Sequence, residues 1–443
     1  MRVHLSNAVY GVLDYVAYPM GMLVVAPLAL RNLGVAQFGV WMLANAALTA
    51  GSVIASGFGD ANIRYVTVRR GGNDQTGLLR AVRSTMGIHI ALGAAIALIA
   101  WIFAAPAAAR IAATSAELRI ECLWSLRIAS LLILARAIET VCVSTQRAFE
   151  RYGAAVRVSV MARLLALAAA AVLPLANQGV IGIMIATALF IVASLGLQLV
   201  QLKRLLGGNS LWPSFDREAT RALLGFGIFS WIQAVSGILF GQVDRLITGV
   251  YLGAAAAASY ALCAQMAQPI FGIAASSLHF LFPYVSTRSA ADSIVSLRRA
   301  VVLAFAANLA VVAAGAAILL ALGMRLLAMW GGQAIAGAGS SVLPLLVWST
   351  AAQALSVTGS YTMLALGRVR MVTLLNLAGG AAMLLATRWL LPKYGMHGMA
   401  MARLFYGPFA LLVYIPLAAM LFLKGHARSR TRAAVVICEE ISR

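Results

Sequence analysis

Acidic residues are scarce. Asp and Glu number 13 against 34 Lys and Arg, and charged residues of all kinds make up 11% of the 443. A water-soluble domain carries about 25% charged residues, so this chain has too few to cover a folded surface. With 62% hydrophobic residues and a mean hydropathy of +0.91, it needs lipid as its solvent. Lysine is nearly missing, at Lys203, Lys393 and Lys424 only, so arginine carries the net charge of +21. The arginines stand singly between apolar runs rather than in a folded basic domain, which argues against nucleic acid as a partner. Cys122, Cys142, Cys263 and Cys438 lie far apart without a CxxC pair, and His4, His89, His279, His397 and His426 are as isolated. That spacing argues against a disulfide framework or a metal site, and no cofactor is expected. The apolar stretch 8–30 is too long for a cleaved leader and holds Asp14; it is expected to stay as the first membrane helix.

What is present is a series of long apolar runs. A helix crosses the hydrocarbon core in about 20 apolar residues. Twelve such stretches are read at 8–30, 39–60, 84–105, 120–146, 157–176, 179–201, 222–247, 254–280, 299–323, 341–363, 371–391 and 397–423. Barrel strands would be shorter and strictly alternating. The expected fold is an all-α polytopic membrane protein with twelve transmembrane helices. Placing both termini in the cytoplasm puts 23 Lys and Arg in the cytoplasmic segments and 7, Arg245 among them, on the opposite face. The excess follows the positive-inside rule and makes anionic headgroups a natural partner.

The halves echo each other. Leu33-Gly34, Trp41 and Leu43 match Leu252-Gly253, Tyr260 and Leu262 at an offset of 219. Gly179, Gly182 and Ala186 match Gly395, Gly398 and Ala402 at 216, and Ala148 and Arg151 match Ala365 and Arg368 at 217. An offset of six spans makes the repeats parallel about the membrane normal. The expected organisation is two six-helix lobes around a central cleft, 1–202 and 222–424, joined by a cytoplasmic linker, 203–221, with a basic tail, 425–443. Two like lobes facing a cleft are the geometry of alternating access.

Three segments carry a family resemblance. LGVAQFGVWML (Leu33–Leu43), QVDRLITGVYLG (Gln242–Gly253) followed by Tyr260, and LALGRVRMVTLLNLAGG (Leu364–Gly380) with LLPKYGMHGMAMA (Leu390–Ala402) resemble conserved stretches of polysaccharide-biosynthesis membrane proteins. These are the O-antigen and exopolysaccharide flippases of the multidrug/oligosaccharidyl-lipid/polysaccharide exporter superfamily. The resemblance implies transfer of undecaprenyl-diphosphate-linked oligosaccharide from the cytoplasmic to the outer leaflet of the bacterial inner membrane. It also implies a polysaccharide polymerase and glycosyltransferases as partners.

Ionisable residues within spans cost roughly 2.5–3.5 kcal/mol on insertion scales, so each is a candidate for function. Arg127, Arg136, Arg163 and Arg403 are the expected substrate-binding residues of a cationic cleft. Arginine suits a diphosphate because its planar fork donates two parallel hydrogen bonds. Arg127 and Arg136 are nine residues apart, about 900° of helical rotation, and so point to opposite faces. Arg127 has no acid one turn away and is the first expected cavity residue, whereas Arg136 has Glu139 at i+3 as a salt-bridge neighbour. Asp14, Glu139 and Asp244 are the candidates for ion coupling, with Asp244 and Arg245 expected at a span end in helix packing.

Two other functions share parts of this pattern. A proton- or sodium-coupled multidrug antiporter of the same superfamily would share the spans and lobes, with Asp14 as the coupling site; a cleft for cationic drugs is expected to carry the opposite charge. A membrane polymerase or ligase would need a catalytic outer loop. The outer loops here are short and hold no paired carboxylates or nucleophile–base pair, so the chain is not read as an enzyme.

Overall fold

The computed structural model describes residues 2–278, 281, 285 and 294–423, with side chains from Ala17 onward except at 226, 229, 239, 240, 294, 295, 422 and 423. The basic tail at 425–443 and the side chain of Asp14 lie outside the described residues. Everything described is helix or short turn, without strands. Lipid offers no partner for a backbone N–H or C=O, so long apolar runs have to satisfy these groups within helices. In chain order these are α1 (Arg2–Ala55), α2 (Gly59–Gly71), α3 (Gln75–Ile111), α4 (Ala116–Ala148), α5 (Tyr152–Val172), α6 (Val180–Leu205), α7 (Arg217–Ile238), α8 (Asp244–Leu252), α9 (Ala254–Ser277), α10 (Ile294–Gly339), α11 (Leu343–Ala365) and α12 (Val369–Leu404), then short helical segments at Tyr406–Leu411, Tyr414–Ala418 and Ala419–Leu423.

By length and composition, six helical stretches among the described residues can cross a membrane. The bent pair Arg217–Gly225 and Ser230–Leu252 makes a seventh if taken as one span. Three long helices are broken internally at a glycine, Gly34 in α1, Gly332 in α10 and Gly395 in α12. The break at Gly34 is a reversal. A straight helix would separate Tyr18 from Val53 by about 52 Å, yet both line one cavity. The second apolar stretch stops at Ala55 rather than residue 60, and Asp60 instead opens the separate helix α2.

The sequence echo has a backbone counterpart. Gly34 sits at φ 76°, ψ 167° and Gly253 at φ 85°, ψ 175°, a conformation open to glycine and strained for any side chain. Behind each, the matched large residues are core: Trp41 and Leu43 are 2% and 1% exposed, and Tyr260 and Leu262 are fully buried. They belong to one apolar cluster that joins α1, α4, α9 and α11. The contact across the halves is close, since a Cβ on Gly39 would lie 1.9 Å from the Ala254 carbonyl oxygen.

Polar loops fix the ends. In the α2–α3 turn the Asp74 carboxylate accepts the Gly77 N–H at 2.8 Å and pairs with Arg69 at 2.7 Å. The Gly77 N–H first, and Arg69 after it, hold that carboxyl below the usual range. Beyond α6 the linker crosses the start of α3, where Arg83 Nε donates to the Ser210 carbonyl at 2.9 Å.

Candidate functional site

A cavity of about 660 Å³ opens among α1, α4, α5, α6 and α9. That is within the usual range for ligand sites. Both limbs of α1 contribute, through Tyr18–Met20 and through Trp41, Asn45 and Thr49. The C-terminal half reaches this cavity's wall through α9 alone, with Gln268 and Phe271 among its residues.

Its charge is lopsided: Arg136, Arg147 and Arg163 line it against the single acid Glu139. Arg136 Nη1 donates to Glu139 Oε2 at 2.7 Å, as the i+3 spacing predicts. The other carboxylate oxygen accepts Ser159 Oγ and Ser194 Oγ, each at 2.8 Å. Glu139 is 3% exposed, yet three donors from α4, α5 and α6 satisfy it. A buried carboxylate is tolerated only with such a set.

A second polar cluster lies behind the wall. Asp244 is fully buried at the start of α8. Its Oδ1 accepts the Arg245 N–H at 2.8 Å, and its Oδ2 accepts the Tyr260 hydroxyl at 2.8 Å and is ion-paired with Arg403 from α12. The Asp244 carboxylate thus makes a helix-packing contact from a fully buried position, to a residue 159 positions away in sequence. Arg245, assigned by sequence to the outer face, is also buried, and its Nη2 reaches Gln268 Oε1 at 3.4 Å.

Of the four arginines expected in the cleft, Arg136 and Arg163 line the cavity, whereas Arg127 and Arg403 are not among its lining residues. Arg403 faces Asp244. Arg127 lies against the rings of Trp101 and Trp124, at 4.8 and 5.3 Å, on the face of α4 opposite Arg136, so it is left out of the site proposed below. Arg127→Ala is expected to cost about 0.5–2 kcal/mol of stability through the lost cation–π contacts and to leave ligand binding unchanged. Lost binding at an unaltered unfolding temperature would return Arg127 to the site.

Arg147 falls one residue beyond the stretch read at 120–146 and so reads as a cytoplasmic loop residue. A signal was present: eleven residues after Arg136, it comes round to within about 20° of the same helix face. Tyr18 had no such signal. Among the described residues, no three His, Cys, Asp or Glu side chains group as metal ligands.

Residues 6–288 match the model of a family described as polysaccharide biosynthesis protein. No curated protein sequence matches the chain. Among solved structures, an inward-facing multidrug resistance MATE family transporter of the MOP superfamily is similar at a TM-score of 0.72 and 16% identity, over 94% of this chain and 98% of that one. The lipid II flippase MurJ in an inward closed conformation is similar at 0.72 and 13% identity, over 98% and 93%. An outward-facing multidrug resistance MATE family transporter of the MOP superfamily is similar at 0.58 and 15% identity, over 95% of each chain. At these identities the likeness is one of fold.

Proposed function

The chain belongs to the polysaccharide biosynthesis protein family, and we propose that it is a flippase for undecaprenyl-diphosphate-linked oligosaccharide, moving repeat units from the cytoplasmic to the outer leaflet of the bacterial inner membrane for O-antigen or exopolysaccharide synthesis. The observation that carries this reading is the charge of the cavity, three arginines to one carboxylate. A diphosphate brings negative charge that must leave water, and arginine forks meet it with bidentate hydrogen bonds in a low-dielectric site. The oligosaccharide would contact the Asn45, Thr49 and Thr187 side chains, while the polyprenyl tail stays in lipid.

The proposed route is alternating access through twelve spans in two six-helix lobes, with both termini cytoplasmic. The higher TM-score to the inward-facing neighbour than to the outward-facing one supports an inward state for this structure. In that state the direct backbone contact of Gly39 with Ala254 would seal the outer side. Coupling to an ion gradient requires an intramembrane acid, and the candidates remain Asp14, Glu139 and Asp244.

The likeness to a multidrug transporter favours a second reading, a cation-coupled drug antiporter. Deletion of the gene in its host separates the two. The flippase reading expects surface polysaccharide to disappear while completed lipid-linked repeat units accumulate. Unchanged polysaccharide with raised sensitivity to cationic dyes would overturn it in favour of drug export.

A further inference from the structure

Arg245 has no role in the site described so far, and its surroundings are unusual. It is 7% exposed, and Asp244, the carboxylate next to it in sequence, directs its side-chain oxygens to Tyr260 and Arg403 and to the Arg245 backbone N–H. Two guanidinium groups thus share one acid within a buried cluster. The Arg245 side chain makes a long 3.4 Å hydrogen bond to Gln268, and its Nε is buried with no hydrogen-bond partner among the described residues. An excess buried cation is costly, and a ligand that brings negative charge offsets that cost.

The cavity lies one side chain away. Gln268 and Tyr18 both line it. Arg245 thus stands one hydrogen bond from the wall that Arg136 and Arg163 also line.

Given the reading of the cavity as a diphosphate site, we infer that Arg245 is a further phosphate ligand, supplied by the C-terminal half and masked in this state by Gln268. Swinging Gln268 aside would present the Arg245 fork opposite Arg136 and Arg163. The headgroup would then be held from both halves at once, and its binding free energy would favour the two halves drawing together. A purely N-terminal clamp would give no such bias.

The test uses the full chain in lipid nanodiscs, titrated with inorganic pyrophosphate as the probe of the headgroup. Losing a charge-assisted hydrogen bond predicts binding about 10- to 100-fold weaker in Arg245→Gln, with partial recovery in Arg245→Lys. Two variants at Gln268 leave the arginine in place and keep the inference testable should Arg245→Gln fail to fold. Gln268→Ala unmasks the guanidinium and is expected to tighten binding. Gln268→Glu supplies an internal counter-charge and is expected to weaken binding as much as Arg245→Gln does. A structural role for Arg245 predicts no such opposition of sign. Wild-type affinity in Arg245→Gln, or a shift of both Gln268 variants in one direction, would overturn the inference alone, provided Arg136→Gln still loses binding. Pyrophosphate binding that is absent from the wild type, or indifferent to Arg136→Gln and Arg163→Gln, would remove the diphosphate site itself and this inference with it.

Discussion

Alanine at position 244 is expected to destabilise the protein by about 3–5 kcal/mol, the usual cost of removing one partner from a buried ion pair. Asp244 is fully buried and serves three donors, the Arg245 backbone N–H, the Tyr260 hydroxyl and the Arg403 guanidinium. Truncation leaves Arg403 and Arg245 side by side without a counter-charge in a region that water does not reach. Whole domains are stable by only about 5–15 kcal/mol, so the variant should unfold at markedly lower temperature in detergent or fail to accumulate. The partner change separates charge from packing. A buried pair often roughly breaks even with apolar residues of similar volume, so Asp244→Leu combined with Arg403→Met is expected to recover most of the loss. Thermal unfolding across that double-mutant cycle gives the coupling directly. An Asp244→Ala protein within about 1 kcal/mol of wild type would mean that this pair does not anchor α12 to α8.

Much of this architecture is legible in the sequence because it rests on local chemistry. Apolar runs give helices, and the Leu-Gly echo at 33–34 and 252–253 marks two places where the backbone adopts a glycine-only conformation. The Arg136–Glu139 pair is legible because both residues lie on one helical turn. The pairing of Asp244 with Arg403 is not, because it depends on which faces of α8 and α12 meet, and no single helix encodes that. Span depth misleads in the same way. Arg127 reads as a cavity residue from its depth and lack of a neighbouring acid, but Trp101 on α3 supplies a partner that the α4 sequence cannot show. Arg147 reads as a loop residue, although its rotation from Arg136 places it on the cavity face. Where a residue's role follows from its own helix, the sequence suffices; where it follows from a neighbouring helix, it does not.

Glutamine in place of Glu139 is expected to bind pyrophosphate about tenfold or more tightly than wild type, the opposite of what loss of a ligand would do. Arg136 is held by Glu139 at 2.7 Å, so a phosphate has to compete with that carboxylate. The amide keeps the size of the side chain and still accepts from Ser159 and Ser194, but it releases Arg136 and raises the cavity charge by one. The charged groups around Glu139 on the cavity wall are Arg136 and Arg147 on α4 and Arg163 on α5. Pyrophosphate binding isotherms of the two proteins, with transport of a labelled lipid-linked saccharide in proteoliposomes, measure the effect; equal affinity in the two proteins would sink the idea. By the same competition for Arg136, Glu139 would set headgroup affinity and release. The candidates proposed for ion coupling remain Asp14, Glu139 and Asp244, and transport by Asp14→Asn that still follows an imposed ion gradient would remove Asp14 from them.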